Sequence, residues 1–210
     1  GIKLLLHAFA VSPSIISLNL SNNNITDEGG EMLASFLMRN DVCSELNLSK
    51  NTLGFLTANA LGKVLLENHT LQKLDLCHNR LCEKFGIVQL LEGLRWNKAL
   101  EYLDVSWNAL GGVPVGDILS RSLKAAKLKV FKIENNSLTS YELQKLAVGL
   151  QYSKTIEEVY VGGNFPTTAE EEDELLVQVF GSSSPLQLLS FGSSYHLSHE
   201  AFEVNLDYNM

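Results

Sequence analysis

The chain has 210 residues, of which 45% are hydrophobic and 19% are charged, a balance typical of a folded globular domain and not of a disordered one. Its 24 acidic residues outnumber its 16 basic ones and give a formal net charge of −8, which argues against general nucleic-acid binding because an acidic surface repels phosphates. No apolar run approaches the ~20 residues that cross a bilayer, so membrane insertion is not expected.

The chain has three cysteines, Cys43, Cys77 and Cys82. An odd number without a paired spacing is not typical of a disulfide framework. We therefore expect a reducing, intracellular compartment, which indicates a cytoplasmic protein.

The first fourteen residues predict part of a helix. The stretch Ile2–Val11 is apolar, and Leu4, Leu5 and Phe9 have the spacing of the inner face of a helix. A helix in this place belongs to a repeat that precedes the first complete one. We therefore expect residues 1–14 to be the remnant helix of a preceding repeat, and the chain to be part of a larger chain or assembly.

A nine-residue motif recurs along the rest of the chain. It first occurs as Ile15-x-x-Leu18-x-Leu20-x-x-Asn23, and comparable segments start at residues 43, 71, 100, 128, 156 and 186, so that successive starts are 28 to 30 residues apart. Six of the seven segments end in asparagine, whereas the seventh has Ser194 there. Such a period predicts stacked repeats, with six repeats over residues 15–185 and a degenerate C-terminal capping repeat over residues 186–210.

Each repeat combines a strand pattern with a helix pattern. The alternation of apolar residues within the motif predicts a strand with one buried face. Helical spacing follows, most clearly in two runs: Ile87, Leu90, Leu91 and Leu94, and Leu143, Leu146, Ala147 and Leu150. The segments Thr139-x-x-Glu142 and Thr168-x-x-Glu171 predict capping boxes at helix starts.

The motif resembles that of the leucine-rich-repeat family, and its spacing is similar to that of the ribonuclease-inhibitor-like subfamily, whose repeat is a strand, a loop and a full helix. The resemblance implies an α/β fold, a curved solenoid or horseshoe with a parallel sheet on the concave face and helices on the convex face. Curvature also follows from geometry, because adjacent strands lie ~4.8 Å apart whereas packed helices need ~8–10 Å.

The asparagines that end the motif form a predicted structural column. An amide both donates and accepts hydrogen bonds, so we expect these side chains to be buried and to bond backbone groups within and between repeats. The column consists of Asn23, Asn51, Asn79, Asn108, Asn136 and Asn164.

The residues between the inward leucines are expected to project from the concave side of the sheet. Aromatic side chains there draw attention because Trp and Tyr often dominate binding energy at interfaces. Tyr102 and Trp107 fall in one repeat with Asp104 between them, although Trp107 could instead pack over the strand-to-helix loop. The predicted partner-binding residues are Asp75, His78, Tyr102, Asp104, Trp107, Lys132 and Tyr160.

No catalytic motif accompanies the repeats. The sequence has neither a GxxxxGK[ST] nor a GxGxxG phosphate loop, and it has no GxSxG nucleophile motif. His196-x-x-His199 supplies only two zinc ligands, whereas a zinc site needs three or four. We therefore expect a protein that is not an enzyme and that has no cofactor and no metal.

The predicted function is that of a protein–protein interaction module or scaffold that binds a partner protein on its concave face, as cytoskeletal and ciliary proteins with such repeats do. The resemblance leaves two alternatives open, a GTPase-activating protein of the Ran-activator type and the sensing domain of an intracellular receptor. The first would need a cationic group at the nucleotide, and Arg80 is the one arginine in a strand-to-helix loop near the concave edge. The second would need an upstream nucleotide-binding domain.

Overall fold

The computed structural model describes residues 14–81, 86–164 and 185–190, together with the backbone of residues 203–205. Four predicted features lie outside these ranges: the remnant helix before residue 14, Cys82, the capping box Thr168-x-x-Glu171, and the pair His196 and His199. The boundaries of the six repeats and of the capping repeat stay predictions.

The described residues contain eight three-residue strands, which form one sheet in chain order. Their bounds are β1 Ser17–Asn19, β2 Glu45–Asn47, β3 Lys73–Asp75, β4 Tyr102–Asp104, β5 Val130–Lys132, β6 Glu158–Tyr160, β7 Leu188–Ser190 and β8 Glu203–Asn205. Strands β1 to β7 pair in parallel, each centred on the fourth residue of the motif, so that Leu18, Leu46 and Leu74 lie side by side. The alternation of the motif therefore predicted these strands correctly.

The last strand departs from the predicted all-parallel sheet. β8 pairs antiparallel with β7, with Val204 opposite Leu189. An antiparallel neighbour needs no crossover helix, and the residues after β7 contain no further copy of the motif. Among the described strands, the parallel stack therefore ends at β7, and β8, which runs in the opposite direction, lies at that edge of the sheet.

A described helix follows each of the strands β1 to β5. The bounds are α1 Asp27–Leu37, α2 Phe55–Glu67, α3 Gly86–Trp96, α4 Gly116–Ala125 and α5 Ser140–Tyr152. Each of these helices packs against the next one along the chain. The helical runs of the sequence are confirmed, since their apolar residues are buried in α3 and α5, and Thr139 and Glu142 form the predicted capping box of α5.

One apolar core fills the space between the sheet and the helices. The central strand residues Leu46, Leu74 and Leu103 are almost completely buried, together with the apolar faces of the helices. In the part of the chain that the structure describes, the sheet does not close on itself, because β1 and β8 lie at its two ends. The fold is therefore the expected curved solenoid, with the strands on the concave face and the helices on the convex face.

Two glycines allow α2 and α3 to approach each other closely. A Cβ atom on Gly93 would lie 2.1 Å from the carbonyl oxygen of Gly62, and a Cβ atom on Gly62 would lie 2.4 Å from that of Gln89. Neither distance is possible for a real side chain, so only glycine fits at these positions. Beside this contact the indole of Trp96 remains 61% exposed on the helix side of the molecule.

Candidate functional site on the concave face

Asparagine amides join each repeat to the one before it. Nδ2 of Asn79 donates to the carbonyl oxygens of Leu48 in the preceding repeat and Leu76 in its own, both at 3.0 Å, and its Oδ1 accepts the backbone N–H of Leu53 at 3.0 Å. The buried amides that bond to the preceding repeat in the same way are those of Asn51, Asn108 and Asn136. These bonds fix the strand-to-helix turns on which the concave side chains stand.

The two ends of the asparagine column differ from its interior. Asn23 is exposed, so the expectation that every amide of the column is buried is wrong at this position. Among the described residues no strand lies beyond β1, and the Asn23 amide donates instead to the carbonyl oxygen of Ser21 in its own turn at 2.8 Å. Asn164 is half-buried and bonds the carbonyl oxygen of Ile133 at 3.1 Å.

The sequence interpretation missed a second set of asparagines, near the helix ends: Asn40, Asn68 and Asn97. Nδ2 of Asn68 donates to the carbonyl oxygen of Leu37 at 2.8 Å and to that of Asn40 at 3.0 Å. Nδ2 of Asn97 makes the same pair of bonds one repeat later. Each of the three lies three residues before a motif start, and that spacing is the signal that could have identified them.

The residue before each column asparagine has a left-handed backbone. The angle φ lies between 52° and 57° at Asn22, Lys50, His78, Trp107 and Asn135, and it is 68° at Gly163. This conformation is uncommon for His, Lys and Trp, so the turn imposes it on them. Backbone bonds join successive turns, with the N–H of His78 donating to Ser106 and that of Trp107 to Glu134, both at 2.9 Å. Side chains at this position therefore stand in a row along one rim of the sheet.

His78 and Trp107 stack on each other in this row, and we call them the ring pair. Their ring centroids are 4.9 Å apart and their planes are inclined by 15°. Both side chains are half-buried. Burial lowers the pKa of His78 below its ordinary value and the charge of Lys50 lowers it further, so the imidazole is neutral at pH 7. The ring pair thus presents a largely apolar, uncharged surface.

Two tyrosines on the strands each have a lysine ammonium group over their ring. Nζ of Lys73 lies 5.0 Å from the ring centre of Tyr102, its neighbour in the register of β3 and β4. Nζ of Lys132 lies 4.2 Å from the ring centre of Tyr160, its neighbour across β5 and β6. These distances are in the range of cation–π contacts, so both ammonium groups face aromatic rings.

Asp75 and Asp104, which we call the aspartate pair, are direct neighbours in the register of β3 and β4. Each accepts the backbone N–H two residues further on, from Cys77 at 3.0 Å and from Ser106 at 2.9 Å. Only 9% of Asp104 is exposed, although the motif predicts that this residue projects into solvent. Burial raises the pKa of Asp75, and the negative charge of Asp104 raises it further. Burial also raises the pKa of Tyr102, and the charges of Asp104 and Asp75 add to that effect.

The thiol of Cys77 lies among these carboxylates. Burial and the charges of Asp104, Asp75 and Glu134 raise its pKa to about 12, so the thiol is protonated at neutral pH and is a poor nucleophile. Cys43 occupies a leucine position of the motif and is completely buried. Both are free cysteines, and neither has the environment of a reactive thiol.

Five of the seven predicted partner-binding residues come together on two adjacent repeats: Asp75, His78, Tyr102, Asp104 and Trp107. Lys132 lies on the next strand beside Asp104, whereas Tyr160 is one strand further away. A shallow depression of about 250 Å³ adjoins this group. The prediction did not include its other polar lining residues, Ser17, Asn19, Glu45, Asn47 and Lys73, although they belong to the same outward columns of the motif.

Other kinds of site receive no support from the described part of the chain. No group of three or more His, Cys, Asp or Glu side chains there is arranged to hold a metal ion. None of the helices in the same ranges has the length and apolar character needed to cross a membrane. The side chain of Arg80 is exposed after Asn79, in a turn fixed by a backbone bond to Leu53 at 2.8 Å.

Comparison with known proteins agrees with the repeat pattern. Residues 11–34 and 97–113 match the family model described as Leucine Rich repeat. The ribonuclease inhibitor of Sus scrofa is 31% identical over 173 residues, which cover 78% of this chain and 36% of the inhibitor. The leucine-rich repeat-containing protein AAC1 of Dictyostelium discoideum is 31% identical over 134 residues, 62% of this chain and 15% of that protein. The chain therefore spans 36% or less of the length of these two relatives.

Two solved structures have a similar fold. The leiomodin-1 actin-binding site 2 superposes with a TM-score of 0.52 at 17% identity, covering 86% of this chain and 87% of that one. The tropomodulin C-terminal domain of Caenorhabditis elegans superposes with a TM-score of 0.55 at 10% identity, covering 85% and 91%. At such identities the likeness concerns the fold alone.

Proposed function

Because the chain is a leucine-rich-repeat protein of the ribonuclease-inhibitor-like kind, we propose that it binds another protein on its concave face. The contact centres on the aspartate pair, the ring pair and Tyr102, with Lys132 and Tyr160 at its edge. An intracellular location belongs to the same proposal, and the two free cysteines of the described residues are compatible with it.

The observation that carries this proposal is the ring pair. Two aromatic side chains stand on left-handed turn residues at the rim of the sheet and remain partly accessible to solvent. The column asparagines bond the backbone of these turns, and the leucine core lies beneath the strands. Rigid aromatic side chains on a fixed backbone lose little entropy on binding, and such residues commonly dominate the energy of an interface.

The relatives support a protein as the partner. The inhibitor of Sus scrofa is by its name directed against a ribonuclease, and the leiomodin-1 segment is an actin-binding site. Both names describe recognition of another protein by this fold. Neither identifies the partner of the present chain, which covers only part of the inhibitor.

We propose binding and not catalysis. The aspartate pair and Cys77 lie in the candidate site, but the thiol is protonated and the carboxylates are held by backbone N–H groups. Among the described residues near Arg80, none favours the GTPase-activating alternative over binding, so that role is not proposed.

Affinity capture with matched aromatic variants tests the proposal. The wild-type chain is immobilised and compared with Trp107→Ala and Tyr102→Ala on the concave face, and with Trp96→Ala and Tyr152→Ala on the helix face. The helix-face rings are 61% and 53% exposed, so they control for the loss of any accessible aromatic side chain. We expect the concave variants to lose at least one partner, identified by mass spectrometry, that both helix-face variants retain.

Retention of every partner by the concave variants would refute the concave site. Loss of the same partner from all four variants would indicate non-specific binding by exposed aromatic side chains and would also contradict the proposal. Circular dichroism melting curves of the five proteins establish that each variant is folded before capture.

A further inference from the structure

We propose that the partner presents an arginine side chain to the concave face, where the guanidinium group meets the half-buried carboxylate of Asp75, next to the largely buried Asp104, and lies beside the ring pair. This inference rests on the proposed function and specifies the chemistry of the partner at that site. It follows from three features of the concave face: the position of the two carboxylates within the repeat, the contacts of the nearby lysines, and the surrounding rings.

The first feature is that the fold does not require a charge at Asp75 and Asp104. In the first two repeats the same strand position holds Asn19 and Asn47. Their Oδ1 atoms accept the backbone N–H two residues further on, from Ser21 at 3.0 Å and from Ser49 at 2.9 Å. The aspartate pair makes this same bond at the same distances. An amide therefore satisfies the turn as well as a carboxylate does, and the negative charges are not explained by the turn.

The second feature is that the negative charges of Asp75 and Asp104 repel each other. Asp75 and Asp104 are paired across adjacent parallel strands, and like charges in that position destabilise a sheet. Among the described residues no lysine or arginine forms an ion pair within 4.0 Å of either carboxylate. Lys73 and Lys132 have their ammonium groups over tyrosine rings, and their charges offset only part of the rise that burial and Asp104 cause in the pKa of Asp75. A cation supplied by a partner would offset the repulsion that the free protein retains.

The third feature is the aromatic setting, which favours arginine over lysine. Tyr102 lies on the same strand as Asp104, and the ring pair follows three residues after the aspartate pair in each repeat. Asp75 and Asp104 are neighbours in the register of β3 and β4, and the rings of His78 and Trp107 stack on each other, so the two pairs lie on the same two adjacent repeats. A guanidinium group can stack on a ring with its flat face while its N–H groups bond a carboxylate, which a compact ammonium group cannot do. The concave face therefore matches a partner segment with an accessible arginine.

A randomised dodecapeptide library, displayed on phage and selected against the immobilised chain, tests the inference. Enriched peptides are synthesised, and their affinities are measured by fluorescence anisotropy for four proteins. These are the wild type, Asp75→Asn/Asp104→Asn, Trp107→Ala, and the control Glu31→Gln/Glu67→Gln. The control changes the net charge equally at two exposed positions on α1 and α2.

We expect the enriched peptides to share an arginine. Their affinity should fall about tenfold or more in Asp75→Asn/Asp104→Asn, and it should change by less than about twofold in the charge-matched control. Replacement of the arginine by citrulline, which keeps the shape and removes the charge, should cause a similar loss. The two losses should not add, because they remove the same contact.

Other outcomes overturn the inference in distinguishable ways. Peptides without arginine that still lose affinity in Trp107→Ala would refute the arginine site and leave the concave binding face standing. Peptides that bind Trp107→Ala as well as the wild type would refute both. Equal losses in the aspartate variant and the charge-matched control would show attraction to the net charge alone, and failure to enrich any peptide would also count against the inference.

Discussion

The amide of Asn79 shows what a single residue of the column contributes. It donates to Leu48 in one repeat and Leu76 in the next, and it accepts from Leu53. Asn79→Ala leaves these buried backbone groups without partners, so we expect it to lower the free energy of unfolding by about 1–3 kcal/mol in urea titrations. Asn23→Ala is the matched control, because the Asn23 side chain is exposed and its amide donates to Ser21 in its own turn, with no bond to another repeat among the described residues. Equal effects of the two substitutions would contradict the role of the column.

The negative charge of Asp75 destabilises the folded protein, whereas the amide of Asn79 stabilises it. Burial and the charge of Asp104 raise its folded-state pKa, so ionisation costs the folded protein free energy at neutral pH, and this cost disappears as the pH falls. Asp75→Asn removes the charge and keeps an acceptor for the N–H of Cys77. We expect the free energy of unfolding at pH 7 to be unchanged or to increase by up to about 1 kcal/mol, with a smaller gain in acid.

The converse substitution is Asn47→Asp, at the corresponding position of β2. It places a third carboxylate beside Asp75 in the register of the sheet and should lower the free energy of unfolding at pH 7. A marked loss of stability in Asp75→Asn would show that the fold needs this carboxylate, and it would remove the main support for a partner-supplied cation.

At the residue scale the sequence predicted positions better than environments. The spacing of the motif indicated Asn79 and Asn108 as bonding residues because a period is visible in one dimension. It did not show that Asp104 is covered or that His78 stacks on Trp107, since both depend on the rotamers of neighbouring repeats. The exposure of Asn23 depends on which strand lies beside it, and the motif of one repeat does not contain that information.

At the scale of elements, a side chain of one repeat caps the helix of the next repeat. Oδ1 of Asp27, at the start of α1, accepts the backbone N–H groups of Gly54 at 2.8 Å and Thr57 at 3.0 Å at the start of α2. Burial alone would raise the pKa of Asp27, but the hydrogen bonds from Thr57, Gly54 and Leu56 lower it below 3.8. The carboxylate therefore stabilises the folded state above this pH, and the contribution is lost as the pH falls through the lowered value.

We expect Asp27→Ala to lower the free energy of unfolding at pH 7 by roughly 1 kcal/mol, the usual effect of losing a helix cap. The difference from the wild type should shrink as the pH falls below 3.8 and should vanish below the lowered pKa of Asp27, because the carboxylate is then protonated in the folded protein too. Asp41→Ala, in an exposed turn, is the control and should have little effect at either pH. A pH-independent difference would show that the charge of Asp27 is unimportant.

The contact between α2 and α3 depends on Gly93. Gly93→Ala places a methyl group 2.1 Å from the carbonyl oxygen of Gly62, so the helices must separate. We expect a loss of about 1–3 kcal/mol in the free energy of unfolding, although alanine is the better helix former. Gly116→Ala meets only the flexible side chains of Lys145 and Tyr141 at 3.1 Å or more and should cost less. A Gly93→Ala protein as stable as the wild type would exclude this close approach in solution.

Elements were predictable where a local pattern marks them. The strands and the capping box of Thr139 and Glu142 follow from short motifs, and the structure contains them. The reversed direction of β8 and the contact of Gly62 with Gly93 were not foreseen. Both depend on how segments far apart in the sequence pack together, and no repeated sequence pattern marks either of them.

For the whole molecule, repetition makes the architecture predictable and leaves the partner open. Stacking identical units fixes which side chains are inward and which are outward, so the concave face could be assigned from the motif alone. The side chains on that face differ from repeat to repeat, so that the carboxylates and rings come together on only two of the described repeats. The identity of a partner depends on that combination, which follows no period.

Site-specific photo-cross-linking tests the concave binding face most directly. Benzoylphenylalanine replaces Tyr102 on the concave face in one protein and Trp96 on the helix face in another, and each is irradiated in a lysate of cells that express it. We expect a covalent adduct with one partner protein from the Tyr102 position and none with that protein from the Trp96 position. An adduct that forms only from the Trp96 position would contradict concave binding.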